Sequence, residues 1–208
     1  MISYVQRWDV IHIYAKALAK IDDPQTEYNN FTGSNHIWWS LQHSAELLTN
    51  LIRYAITKNI HLRGCISMGY IQEYRNGYYS KSMIENAQLA ESSEMVGVIA
   101  GPSSMRVLNN KCYSSSPRFY HFVKYRIPVK KPTRKRRKLF DKLAILNLTT
   151  NKTNDISMFD SISDKDIENT IQEQIQTHHN NPKVRRKWEN TRRFIKYTSN
   201  ISDEKFFL

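Results

Sequence analysis

Cysteine is almost missing from this chain. Two residues, Cys65 and Cys112, cannot build a disulfide framework, and neither stands at a metal-ligand spacing. The seven histidines show no ligand spacing either. Long apolar runs are lacking: nothing approaches the roughly 18–20 residues needed to cross a bilayer, so no membrane span is expected. The first residues include Arg7, Asp9 and His12, which do not suit a secretory leader. A reducing, cytoplasmic setting is the expectation. Tandem repeats and low-complexity tracts are absent. Acidic residues are scarce beside basic ones, 19 Asp+Glu against 31 Lys+Arg, giving a formal net charge of +12. That excess favours polyanionic partners, whether nucleic acid, nucleoside triphosphate or an acidic membrane surface.

What is present argues for a folded core. Twelve tyrosines and four tryptophans in 208 residues exclude disorder along most of the length, which suffices for one sizeable domain, or a domain plus a tail. Basic residues concentrate in two places. Lys130, Lys131, Arg134, Lys135, Arg136, Arg137 and Lys138 form one cluster; Lys183, Arg185, Arg186, Lys187, Arg192, Arg193 and Lys196 form the other. The polar stretch from Asn147 to Asp166 is the linker candidate. Dividing the chain there gives an α+β domain over 1–150, a linker over 151–166 and a C-terminal helical segment over 167–208 that packs on the domain.

Two β-prone runs, Ile2–Val5 and Val10–Tyr14, predict a hairpin with Asp9 near its turn. From Ile37 to Lys58, Trp38, Leu41, Ala45, Leu48, Ile52 and Ala55 step by three and four, predicting a helix capped by Ser34 or Asn35 and ended at Asn59. Ile60–Ile71 reads as a strand whose two glycines imply close approach of a neighbour. Asn76-Gly77 marks a second hairpin tip. Lys81–Glu94 is expected as a helix facing inward through Met83, Ile84, Ala87 and Ala90. Strands over Val96–Ala100, Phe119–Val129 and Leu143–Leu148 follow, with a short helix around Met105 and Leu108. Asp164–Thr177 reads as a polar, exposed helix, and a last helix carries Val184, Trp188, Thr191 and Ile195 on one stripe. The mixture predicts an α+β sandwich, an antiparallel sheet with helices on one face.

Leu62-Arg63-Gly64-Cys65-Ile66-Ser67-Met68-Gly69, directly after the long helix, resembles the Leu-Arg-Gly-Ala-Ile-Ser-x-Gly-like strand of class III nucleotidyl cyclases, in the bacterial branch that includes the pyrimidine cyclases of antiphage signalling. Ser80-Lys81-Ser82-Met83-Ile84-Glu85-Asn86-Ala87 resembles that branch's Gly-Lys-Ala-Leu-Ile-Glu-Ala helix start. Tyr125-Arg126-Ile127-Pro128-Val129-Lys130 resembles its Tyr-x-Val-Pro-x-Lys strand, and Lys187-Trp188-Glu189-Asn190-Thr191 its closing helix.

The resemblance implies a ferredoxin-like cyclase sandwich acting as a dimer, with active sites at the subunit interface. There two aspartates hold two Mg²⁺ or Mn²⁺ ions, which turn a nucleoside triphosphate such as CTP or UTP into a 3′,5′-cyclic monophosphate and pyrophosphate. Paired metals would supply the charge neutralisation that this displacement needs.

The chain departs from that pattern. In the alignment the family's first strand and its aspartate fall before Met1, leaving Asp9 as the one metal-binding carboxylate, a poor two-metal site alone. The Asn and Arg that many such cyclases carry on the helix after the hairpin have no counterpart: Ile84 or Glu85, and Gln88 or Leu89, stand there. The expectation is therefore weak or absent activity for this chain, and a homodimer, or a heterodimer with a complete cyclase chain.

Each candidate also has a plainer explanation. Asp9 alone is better explained as a solvated turn residue. Arg63 suits a phosphate or base as well as a neighbouring carboxylate. Lys81, at a helix start, could meet phosphate beside the helix amides, though a solvated lysine explains it better. The run from Lys130 to Lys138 is either a solvated hairpin tip or a contact for nucleic acid. A catalytically silent module that keeps the fold and binds a polyanion remains the alternative to the enzyme.

Overall fold

A computed structural model of the chain describes residues 2–7, 10–15, 34–69, 72–74, 77–109, 119–130, 133, 138–149, 162–201 and 206–207. Strands β1 (Ile2–Arg7) and β2 (Val10–Ala15) pair antiparallel, with Ile2 opposite Ala15 and Arg7 opposite Val10. The expected first hairpin is therefore present. Trp8 and Asp9, which join its strands, lie outside the described residues.

Helix α1 (Ser34–Thr57) follows the predicted stripe: Leu41, Ala45, Ile52 and Ala55 are buried. It ends because Asn59 takes a left-handed conformation (φ 61°). The Asn59 N–H then reaches the Ile56 carbonyl at 2.9 Å and the Ile60 N–H reaches that of Ala55 at 2.8 Å, a Schellman closure in which Asn tolerates the positive φ.

Strand β3 (Arg63–Ile66) is shorter than the run predicted from Ile60 to Ile71. After it, β4 (Gln72–Tyr74) and β5 (Gly77–Tyr79) form their own hairpin. Helix α2 (Lys81–Ser92) returns the chain to β6 (Gly97–Ala100), which lies parallel to β3 with Arg63 opposite Gly97 and Ile66 opposite Ala100. Helix α3 (Pro102–Leu108), β7 (Phe119–Lys124), a helical turn at 138–140 and β8 (Ala144–Leu146) follow. The sheet order is β3-β6-β8-β7, extended by the two-residue β9 (Phe206–Phe207).

The architecture is α+β, but the sheet is mixed, which corrects the antiparallel expectation. A helix between two neighbouring strands brings the second back in the same direction as the first, so β3 and β6 must run parallel. Both predicted hairpins form, yet each pairs only with itself among the described residues.

Helices α4 (Asp164–Thr177) and α5 (Pro182–Ser199) pack against each other, and α4 also packs on α1. Helix α4 begins inside the expected linker, where Ser163 and Asp166 form a reciprocal capping box. It is not simply exposed: Ile167, Ile171 and Ile175, spaced by four, are buried. The stripe predicted for α5 holds, with Trp188, Thr191 and Ile195 buried.

Helix α2 corrects a further expectation. Leu89 is its buried residue, whereas Ile84 is 64% exposed and Ala87 also faces outward. One contiguous apolar core joins α1, the sheet and both C-terminal helices, through Ile56, Ile99, Ile145, Ile171, Trp188 and Phe194 among others. Strand β6 is buried throughout, as a strand with neighbours on both sides should be. No helix among the described residues is long and apolar enough to cross a membrane.

Candidate functional site

Where β3 and β6 end side by side, Gly101 has less room for a side chain than the predicted Gly64 or Gly69. A methyl group on Gly101 would stand 2.6 Å from Ser67 Oγ and 3.1 Å from Cys65 Sγ. At Gly64 and Gly69 the nearest neighbours, Val98 Cγ2 and Ser82 Oγ, would lie at 3.2 and 3.1 Å. The Gly101 N–H donates to the Ile66 carbonyl at 2.8 Å, and Ser104 Oγ donates to the same oxygen at 3.0 Å. Ser103 Oγ accepts the Met68 N–H at 3.0 Å, and the Ser67 hydroxyl bonds Asn86 Oδ1 on α2.

Loop 66–69 is thus stapled to α3 on one side and α2 on the other. Burial pushes the Cys65 thiol up to about 12, so it stays protonated and non-nucleophilic at neutral pH. Ser80 caps α2, its side chain accepting the Ser82 N–H at 3.2 Å. Lys81 is the first residue of α2, and its side chain lies outside the described ones.

A second cluster forms around Ser92–Val96, where α2 gives way to β6. Ser93 bridges Val129, the Lys130 N–H donates to the Ser92 carbonyl at 2.8 Å, and the Glu94 N–H donates to that of Pro128 at 2.9 Å. From α5, Asn190 Nδ2 donates to the Glu94 carbonyl at 2.8 Å, and Thr191 Oγ1 accepts the Val96 N–H at 2.9 Å. From β3, Arg63 Nη1 donates to the carbonyls of Glu91 and Ser93 at 3.2 and 3.0 Å. A cation at those last carbonyls also opposes the negative end of the α2 dipole.

Arg63, Lys130 and Lys187 consequently share one neighbourhood. Burial, reinforced by the charges of Arg63 and Lys130, lowers the pKa of Lys187, and Glu94 only partly offsets this. Burial, then Lys187, His178 and Arg63, lower His61 to about 4, so its ring is neutral at pH 7. That ring lies 4.5 Å from the Trp188 ring and 6.1 Å from that of His178.

The structure therefore joins two candidates that the sequence offered separately, Arg63 and the first member of the basic run, and adds Lys187 from the other basic cluster. Lys138 is exposed and opens the turn at 138–140, whose Phe140 is buried; Lys131, Arg134, Lys135, Arg136 and Arg137 lie outside the described residues. Among the described residues no three His, Cys, Asp or Glu side chains group to hold a metal ion.

Gly101, Asn86 and Ser103 went unnoticed in the sequence. Gly101-Pro102 read only as a strand stop, although Pro at the first position of a helix after Gly is also a signature of a tight strand-to-helix corner. Nothing in the sequence near Asn86 signalled its role. No family model, no curated protein and no solved structure matches the chain.

Proposed function

We propose that this chain is a nucleotidyl cyclase-like module that takes a nucleoside triphosphate, with CTP and UTP as first candidates, and that works as a dimer. Carrying the reading is the segment from Leu62 to Ser92, in which a strand, a hairpin and a capped helix follow in the order the resemblance implies. Its Arg63 keeps Nη2 and Nε without hydrogen-bond partners among the described residues, so it retains donors for a phosphate. Asp9 is the proposed ligand for Mg²⁺ or Mn²⁺, and a single carboxylate predicts slow turnover or none without a partner chain. The ferredoxin-like arrangement of layers belongs to the same proposal.

Incubating the purified chain with each of the four ribonucleoside triphosphates and Mn²⁺, then measuring cyclic monophosphate and pyrophosphate by mass spectrometry, tests it. Product from a pyrimidine triphosphate is the expected result. No product, together with no saturable triphosphate binding by calorimetry, would remove the reading.

A second reading is a silent module that binds a polyanion. The closeness of Arg63, Lys130 and Lys187 favours it, because an external anion would ease the burial and like charge that lower the Lys187 pKa.

A further inference from the structure

Beyond that cluster, two adjoining recesses open beside the segment after β7 and the turn before β8, and α5 borders the second of them. One, of about 540 Å³, is lined by Lys124, Tyr125, Arg126, Asp141 and Lys142 among others. The second, of about 420 Å³, is lined by Glu94, Arg126, Asp141, Arg186, Asn190 and Arg193 among others. They meet at Arg126 and Asp141, which line both. Five cations stand there against two carboxylates, and one of these, Glu94, already has Arg186 at 3.8 Å. No ion pair involves Arg126, Lys142 or Arg193 among the described residues.

The spacing on α5 is regular. Arg186, Asn190, Arg193 and Tyr197 follow at four, three and four residues, one stripe beside the buried stripe of Trp188, Thr191 and Ile195. Asn190 fixes that stripe to the Glu94 carbonyl. At its far end Tyr197 lies 5.1 Å from Tyr125, ring to ring, and its hydroxyl donates to the Lys124 carbonyl at 3.3 Å. Tyr125 is half-buried and lines the larger recess, so a cationic track ends beside an aromatic ring.

We infer that this face binds a single strand of nucleic acid, its phosphates meeting Arg126, Arg186 and Arg193 and a base lying against Tyr125. Cations along a groove with an aromatic ring beside them are what a flexible strand needs. A duplex holds its phosphates on a convex surface and is usually entered by a projecting helix or ribbon. Here the cations line recesses, which a bending single strand can enter and a stiff duplex cannot. An acidic membrane would call for a flat, uniformly basic surface, whereas Glu94 and Asp141 interrupt this one and suit discrete phosphates. The inference deepens the polyanion reading and rests on it, but it moves the principal contact from the loop over 130–138 to the α5 face.

Fluorescence anisotropy of the full chain with labelled oligo(dT) and oligo(U) of about 20 nucleotides tests the assignment, since a strand of that length covers more than one binding site of this size. R126E/R193E should weaken binding at least tenfold. The control K58E/K165E changes the net charge equally at exposed positions outside the recesses and should have a much smaller effect. The slope of log affinity against log salt, about 0.7 per phosphate neutralised, should fall by about 1.4 when those two arginines are lost. A duplex of equal length should bind more weakly. If R126E/R193E fails to fold by circular dichroism, R126Q/R193Q serves with the same sign.

Equal loss in the two charge-matched variants would overturn the inference, as would a preference for duplex. Loss confined to a loop variant, R134E/R136E, would leave the polyanion reading standing and remove this site. Absence of binding at about 50 mM salt would remove both, because electrostatic contacts are strongest there.

Discussion

Arg53 and the group formed by Arg63, Lys130 and Lys187 place positive charge in two very different settings. Arg53 is 3% exposed, and its guanidinium is matched by Asp164 at 2.6 Å and by the carbonyls of Leu148 and Ile162. It joins α1 to the start of α4 through these three hydrogen bonds. In the other setting three cations share one neighbourhood, where burial and the charges of Arg63 and Lys130 lower the Lys187 pKa against the opposing pull of Glu94. A buried cation bonded to a carboxylate and two carbonyls is a structural tie; a crowded cationic neighbourhood is suited to an anion from outside.

The comparison can be broken most sharply at Arg53. Arg53→Met should cost about 3–5 kcal/mol, because the contact to Asp164 is lost and two carbonyls lose their donor. Urea denaturation measures this, and a loss below about 1 kcal/mol would show that the tie is dispensable.

A tie built from neutral groups gives the next largest effect. Gly101→Val forces side-chain atoms into Ser67 and Cys65 and should cost about 1–3 kcal/mol. Hydrogen exchange should rise in loop 66–69 before it rises in α1.

The crowded setting is read through His61. Its folded pKa, about 4, lies below the ordinary value of 6.5, so the unfolded chain takes up the proton first. Stability is therefore fully present above pH 6.5, declines as pH falls and levels off below about 4. His121, lowered by burial to about 4, acts in the same direction and window. The smallest effect isolates the crowding itself. Lys187→Gln should raise the His61 pKa in an NMR titration while changing stability by less than about 1 kcal/mol. An unchanged His61 would mean that the Lys187 charge does not help to set its value.

Much of the fold was legible because it is local. The stripe from Leu41 to Ala55, the stop at Asn59 and the stripe through Trp188 and Ile195 depend on periodicity and one turn residue. Parallel pairing of β3 with β6 was not legible, since it depends on α2 acting as a crossover, and the order of elements alone also suited an antiparallel sheet. Burial of α4 was missed because polar residues surround Ile167, Ile171 and Ile175, although their spacing of four is helical.

The site was legible in pieces. Arg63 and Lys130 stood out in separate segments, but their meeting depends on Ser93 bridging Val129 across the fold. Arg53 offered no signal, because an arginine on an amphipathic helix ordinarily marks its wet side.

Thr191 and Trp188 carry a consequence for how the molecule assembles. The Val96 amide beside the central strand finds its acceptor on α5, nearly a hundred positions further along, and the Trp188 indole fills the same interior. A ribosome must release the chain past Thr191 before the Val96 amide can meet its acceptor. Until then that amide waits for its partner, and nascent chains carry the apolar surface that Trp188 will cover exposed to other chains.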